Sequence, residues 1–165
     1  MVNEDILPNE LIEIATSLEK QFRVLRVPSR KIPLAEWDCQ SLEFRKVIPQ
    51  WLITLLANHS LVRPFLDLGE GFSDFGEVFS FWPPAAYSKN FSDSMIDDHI
   101  VKAGFVPLSD TSDGSGNLWL TSITGDASSP IYLFGLSSCE IKLVGGNLTR
   151  LLTSCTVDGK NWRNH

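Results

Sequence analysis

The 165-residue chain is 43% hydrophobic and 21% charged, with a formal net charge of −6, and these values are ordinary for a globular protein. They exclude global disorder, and the length predicts a single domain spanning residues 1–165 whose core needs neither disulfides nor metals. Because the N-terminus lacks a secretory signal and no apolar run approaches the length of a membrane span, we expect a cytoplasmic protein without membrane contact.

Three cysteines, Cys39, Cys139 and Cys155, are far apart in the chain and odd in number. No pair has the C-x-x-C spacing, so neither a disulfide framework nor a zinc cluster is predicted. We expect small, buried, reduced thiols.

The first predicted element is an amphipathic helix over Pro8–Phe22, with Asn9 as its cap and one apolar stripe. A short strand follows over Val24–Val27. Pro28 and Pro33 then bracket a basic loop. Scattered Lys and Arg without a glycine cradle are weak evidence for phosphate binding, so we interpret this loop as a solvated connector.

A second helix is predicted over Ile48–Leu56, with Pro49 at its first helical position and three leucines on its buried face. His59 lies at the end of this helix. No Ser or Asp pattern around it suggests a catalytic relay, so we expect a structural role for this histidine.

The middle of the chain is rich in Gly, Phe and acidic residues. A strand is predicted over Val78–Trp82, which Pro83 and Pro84 are expected to terminate. We expect a loop over Ala85–Asn90 and a short helix over Ser92–Ala103, which Gly104 ends.

Three short apolar segments with tight connections predict an antiparallel meander around which the rest of the chain packs. They are Phe105–Leu108, Asn117–Ile123 and Ile131–Phe134. The middle segment alternates with period two, which is typical of a strand.

A fourth strand is predicted over Glu140–Val144, and Gly145-Gly146 is expected to break it. Asn147 then caps a last helix whose apolar face includes Leu148 and Cys155. The polar tail Asp158–His165 is expected to be frayed.

The sequence gives no specific signal for an enzyme, a metal or a cofactor. Asp110–Asn117 has the composition of a calcium loop, but Thr121 stands where the glutamate of an EF-hand is required, so a turn is favoured. Asp97 and Asp98 are neighbours on the predicted helix and do not face each other, so they do not form an acid/base pair.

The charge of the chain is segregated. Residues 64–126 hold ten acidic and two basic side chains, net −8, whereas residues 1–63 have net charge 0. Such a segment repels nucleic acid and attracts cationic partners, although solubility alone is the simpler explanation. The candidate partner-binding residues are Asp67, Glu70, Asp74, Glu77, Asp93, Asp97, Asp98, Asp110 and Asp113.

Taken in order, these features resemble the SUKH superfamily, the Smi/Knr-like fold. The resemblance covers roughly residues 42–155. It rests on the Ile48-Pro49 helix start, the aromatic strand Val78–Trp82, the Phe105–Leu108 strand with its acidic Gly-rich turn, and the Pro130–Phe134 strand before a closing strand and helix. The usual glycine pair after the early helix is replaced by Asn58-His59-Ser60.

The resemblance implies an α+β domain with a twisted, mostly antiparallel sheet flanked by helices. It also implies a non-enzymatic binding role, because many bacterial members resemble immunity proteins that bind a toxin domain, often a nuclease or a nucleic-acid deaminase. The alternative is a regulatory scaffold domain of the Smi/Knr-like type without a toxin partner. The family has no shared catalytic residues, and no oligomeric state is predicted.

Overall fold

The computed structural model describes residues 3, 5–40, 42–72, 78–91, 97–111 and 115–157. The described helices are α1 (Asn9–Leu25), α2 (Leu34–Asp38), α3 (Leu42–Val47), α4 (Gln50–Asn58), α5 (Pro84–Phe91), a π-helical turn (Asp97–Val101) and α6 (Leu148–Ser154). The described strands are β1 (Leu66–Asp67), β2 (Val78–Phe79), β3 (Phe105–Asp110), β4 (Leu118–Ser122), β5 (Pro130–Gly135), β6 (Glu140–Asn147) and β7 (Thr156–Val157).

The helices and the antiparallel sheets share one hydrophobic core, which confirms the α+β class. The first sheet has four strands in the order β3-β4-β5-β6, and the second has three short strands in the order β2-β1-β7. Every described strand pairing is antiparallel. Among the described residues, no helix is both long and apolar enough to cross a membrane.

Helix α1 begins one residue later and ends three residues later than the sequence predicted. Pro8 is its N-cap, and Asn9 is its first residue rather than its cap. The predicted strand over Val24–Val27 is wrong, because the helix continues to Leu25. It ends at Arg26, whose left-handed backbone (φ 56°) lets the N–H of Val27 donate to the carbonyl of Phe22 at 2.8 Å.

The second predicted helix is α4, and its three leucines are fully buried. Pro49 is the N-cap of this helix rather than its first residue. The short helices α2 and α3 were not predicted, since five or six residues are too few for an amphipathic period to be read.

The predicted meander is confirmed as β3, β4 and β5. In the register of these strands, Trp119 lies opposite Ser109 on one side and Leu133 on the other. Trp119 and Thr121 are as buried as Leu118 and Leu120, so β4 is covered on both faces. Its alternation therefore does not separate a core face from a solvent face.

Two expectations about segment boundaries are corrected. The segment Ala85–Asn90, expected to be a loop, lies within α5. The glycine pair Gly145-Gly146 does not break β6, because the strand continues to Asn147. Tyr132 pairs with Leu143, and Pro130 pairs with Asn147, so two residues of β5 are matched by four residues of β6. The glycines are the two extra residues of this bulge, and Gly145 has the positive φ (94°) that such a bulge uses.

Other expectations are met in part or lie outside the described residues. The strand expected over Val78–Trp82 is regular only over Val78–Phe79, although Phe81 forms a parallel bridge with Val62. The expected helix Ser92–Ala103 is described only from Asp97, as the π-helical turn. Asn147 caps α6 as expected, its side chain accepting the N–H of Arg150 at 2.9 Å. Residues 158–165 lie outside the described residues.

The three-stranded sheet was not predicted. Its strands have two residues each, and β7 comes from the C-terminal side to pair with β1. The loop after β1 passes close to the end of α6, where a Cβ at Gly69 would overlap the carbonyl oxygen of Ser154 and lie 2.8 Å from its carbonyl carbon. Only glycine fits this close approach of two backbones.

We therefore expect Gly69→Ala to lower the free energy of unfolding by about 3 kcal/mol, because the methyl group meets backbone that cannot rotate away. Urea denaturation followed by circular dichroism would measure this loss. The matched control is Gly71→Ala, which has open space around its Cβ but a positive φ (91°), so it reports backbone strain of about 1 kcal/mol without a clash. Equal losses in the two variants would contradict the close approach.

Candidate binding surface

The structure gives positions for five of the nine candidate acidic residues. Asp67 is in β1, Glu70 is in the exposed turn that follows, and Asp110 ends β3. The backbone of Asp97 and Asp98 is in the π-helical turn. Asp74, Glu77, Asp93 and Asp113 lie outside the described residues.

Asp67 and Asp110 are brought together by the segment that contains β2. Asp67 lies opposite Val78. Two residues later, the N–H of Ser80 donates to the side-chain oxygen of Ser109 at 2.9 Å, next to Asp110. Along this path of strand spacings, the Cα atoms of Asp67 and Asp110 are at most about 20 Å apart. We call Asp67, Glu70 and Asp110 the acidic end.

Asp97 and Asp98 lie in the π-helical turn that precedes the first residue of β3. The C-terminal part of their π-helical turn is closed by a hydrogen bond from the N–H of Gly104 to the carbonyl of Val101 at 2.9 Å. Gly104 directly precedes β3, whereas Asp110 is the last residue of that strand. The described contacts therefore do not join these two acids to the acidic end.

The acidic end influences a neighbouring thiol. Asp67 pairs across the small sheet with Thr156, which follows Cys155. Burial, and secondarily the negative charge of Asp67, raises the pKa of the Cys155 thiol to about 12. The thiol therefore stays protonated at neutral pH and is a poor nucleophile. The expectation of buried thiols is wrong for Cys39 and Cys139, which are exposed, while Cys155 is half-buried.

The turn between β3 and β4 is organised by hydrogen bonds of its own residues. The N–H of Thr111 donates to the carbonyl of Asn117 at 3.1 Å, and the N–H of Asn117 donates to the hydroxyl of Ser115 at 3.2 Å. These contacts support the interpretation of this segment as a turn. Within the described residues, no three His, Cys, Asp or Glu side chains are close enough together to hold a metal ion.

The basic loop before α2 is stabilised by an ion pair. Both terminal nitrogens of Arg30 bind the carboxylate of Glu36, at 2.7 and 2.9 Å. This pairing raises the pKa of Arg30 and lowers the pKa of Glu36. Both side chains are partly exposed, at 42% and 31%, so solvent weakens the interaction. The pairing fits a connector rather than a phosphate site, because the bidentate face of Arg30 is already occupied.

His59 has a carboxylate partner that sequence reasoning missed. Its Nδ1 lies 2.7 Å from Oε1 of Glu19 on α1, and the N–H of Ser60 donates to the other carboxylate oxygen at 3.1 Å. The His59 side chain is 8% exposed and that of Glu19 17%. Glu19 thus joins α1 to the end of α4. The separation of 40 residues leaves no local signal for this pairing.

We expect Glu19→Ala to lower the free energy of unfolding by about 2 kcal/mol, because it leaves two largely buried donors without their acceptor. Glu19→Gln keeps one carbonyl oxygen and should lose less. Thermal denaturation at pH 7 would measure both losses. Glu13→Ala, on an exposed position of the same helix, is the control and should change stability by less than about 0.5 kcal/mol. A Glu19→Ala variant as stable as this control would contradict the joining role.

A scan against protein-family models and searches of curated proteins and solved structures found no match to this chain.

Proposed function

We propose that this chain is a SUKH-type, non-enzymatic binding protein of the cytoplasm. In this proposal it acts as an immunity protein that neutralises a toxin domain by occupying its basic cleft. The acidic end is the core of the binding surface. The toxin class is a nuclease or nucleic-acid deaminase, because enzymes that act on nucleic acid need a cationic cleft to hold phosphates.

The observation that carries this proposal is the position of the acidic end. Residues 64–126 have net charge −8, and described contacts connect Asp67 and Asp110 through the short segment Val78–Ser80. Glu70 is exposed in the turn next to them. A concentrated negative potential accelerates association with a cationic protein and disfavours contact with nucleic acid itself.

The fold and two buried groups give further support. The α+β class, with a four-stranded antiparallel sheet and flanking helices, agrees with what the SUKH resemblance implies. Burial raises the pKa of the Tyr87 phenol well above its usual value, as it does for the Cys155 thiol. Both groups therefore stay protonated at pH 7, so neither supplies an anionic nucleophile.

The first experiment is a pull-down from lysate of the native host with the tagged full chain, followed by mass spectrometry of the bound proteins. A stoichiometric partner with a basic domain that is toxic when expressed alone is the expected result. Co-expression of this chain should then restore growth. Recovery of housekeeping or cell-envelope proteins instead would replace the immunity function by the regulatory scaffold function.

A charge-change variant tests the role of the acidic end. We expect the triple change Asp67→Asn, Glu70→Lys, Asp110→Lys to slow association with the captured partner by tenfold or more at low salt, since it removes the steering field. Stopped-flow or surface plasmon resonance at several salt concentrations would measure the rate. The difference from wild type should shrink as salt rises.

The matched control carries the same change in net charge at another place. Asp5→Asn, Glu10→Lys, Glu13→Lys alters three exposed acids before α1 and in its first two turns, again by five charge units. If this control slows association as much as the first triple variant, only net charge matters, and the acidic end is not the binding surface. Circular dichroism of both variants would verify that they fold.

A further inference from the structure

The outer edge of β6 has the features of a strand that accepts another strand. In the described part of the chain, β6 ends the order β3-β4-β5-β6, so no strand pairs with its outer side. Alternate residues of such an edge direct their N–H and C=O groups away from the sheet. Leu143, on this edge, is 60% exposed, and Ile141 is half-buried on the same face.

The part of β6 that can pair is short and well defined. It begins after Cys139, whose positive φ (54°) ends the preceding turn, and it stops at the bulge formed by Gly145-Gly146. This leaves Glu140–Val144 as the regular edge. Beside the bulge lies an open groove of about 450 Å³, lined by Pro130, Leu143 and the glycine pair among others.

We propose that this edge pairs with the same edge of a second copy, giving an antiparallel β6–β6 dimer about a two-fold axis at Ile141. In this register Ile141 lies opposite Ile141 of the copy. Glu140 lies opposite Lys142 of the copy, and the reciprocal pair forms by symmetry. Within one chain, Nζ of Lys142 lies 3.9 Å from Oε2 of Glu140. Both side chains are more than 60% exposed, so both are accessible to a second copy.

Charge complementarity selects this register over its neighbours. An axis at Lys142 places two lysines directly opposite each other, which is destabilising. An axis at Leu143 places Ile141 opposite Gly145, inside the bulge, where regular pairing fails. The axis at Ile141 also pairs only three residues regularly, because Leu143 falls opposite Cys139 in the turn of the copy, but among these registers it alone forms two Glu140–Lys142 ion pairs. It also lays the β5–β6 turn of the copy over the glycine-lined groove, because Ser137 falls opposite Gly145.

A pairing of three residues from each copy buries little surface, so the dimer is weak and transient, with Kd on the order of tens of micromolar or above. Sedimentation-velocity runs of the full chain at concentrations up to about 0.5 mM cover this range. A concentration-dependent shift from monomer to dimer is the expected result. A chain that remains monomeric at every concentration overturns the proposal.

A charge swap tests both the edge and its register. Glu140→Lys or Lys142→Glu alone turns two attractive pairs into two repulsive ones and should weaken the dimer about tenfold. The double variant Glu140→Lys, Lys142→Glu restores the pairing and should recover the wild-type Kd to within about threefold. Glu13→Lys and Lys20→Glu, exposed on α1, make the same charge changes elsewhere and should leave the Kd unchanged.

The register is measured separately by cross-linking. In a background of Cys39→Ser, Cys139→Ser and Cys155→Ala, the Ile141→Cys variant places two thiols directly opposite each other, within disulfide distance. Mild oxidation should link this variant faster than Ser137→Cys in the same background. The β6 interface is overturned if the Kd of the dimer is unchanged by all the charge changes, or if the Ile141→Cys variant links no faster than Ser137→Cys.

Discussion

The burial of Trp119 at the centre of β4 is the constraint on which the rest of the structure depends. The indole is fully buried and packs edge-on against Phe72, with ring centres 6.4 Å apart. On the opposite face of the strand, Leu118 and Leu120 are 7% and 0% exposed. Because both faces of β4 are buried, the sheet must be covered on both sides. The helices and the residues that follow β1, which include Phe72, provide this cover.

The Trp119 contact also explains why the glycine pair lies near the end of β6. A Cβ at Gly146 would lie 2.8 Å from the ring of Phe72 and 3.2 Å from the side chain of Arg150. The ring that covers Trp119 therefore requires a position without a side chain, and Gly145 supplies the backbone conformation that the bulge needs. One packing contact in the core thus fixes where β6 stops being regular, which in turn limits the exposed edge.

The elements that sequence reasoning identified are those with enough residues to show a period. Helices α1 and α4 bury side chains at helical spacing, and the meander strands are apolar runs bounded by turn residues, so the sequence pattern predicts them. The two-residue strand β7 exists only through its pairing with β1, about 90 residues earlier in the chain, and no local pattern records such a contact. Helix α5 was missed because Pro83-Pro84 suggested a loop, whereas Pro84 is the first residue of that helix.

The candidate binding surface could likewise be predicted only in part from the sequence. The charge segregation is visible in composition, since ten acids and two bases lie between residues 64 and 126. The connection between Asp67 and Asp110 depends on a hydrogen bond between Ser80 and Ser109, which are 29 residues apart, and serine carries no signal for that pairing. The pairing of Glu19 with His59 was not predicted for the same reason, because no local pattern indicates a contact between residues so far apart in the chain. Sequence reveals the inventory of charges, and long-range contacts decide which of them share a surface.

The two proposed surfaces lie at opposite edges of the four-stranded sheet. Asp110 ends β3, and three strand spacings, about 14 Å, separate β3 from β6. A dimer paired through β6 therefore places the β3 edge of each copy away from the dimer contact. Salt also has opposite effects on the long-range electrostatic forces in the two interactions. Two chains of net charge −6 repel each other most strongly at low ionic strength, where attraction of a cationic partner to the acidic end is greatest. Low salt thus favours a monomer that captures its partner, and screening of the net charge favours pairing of the β6 edges.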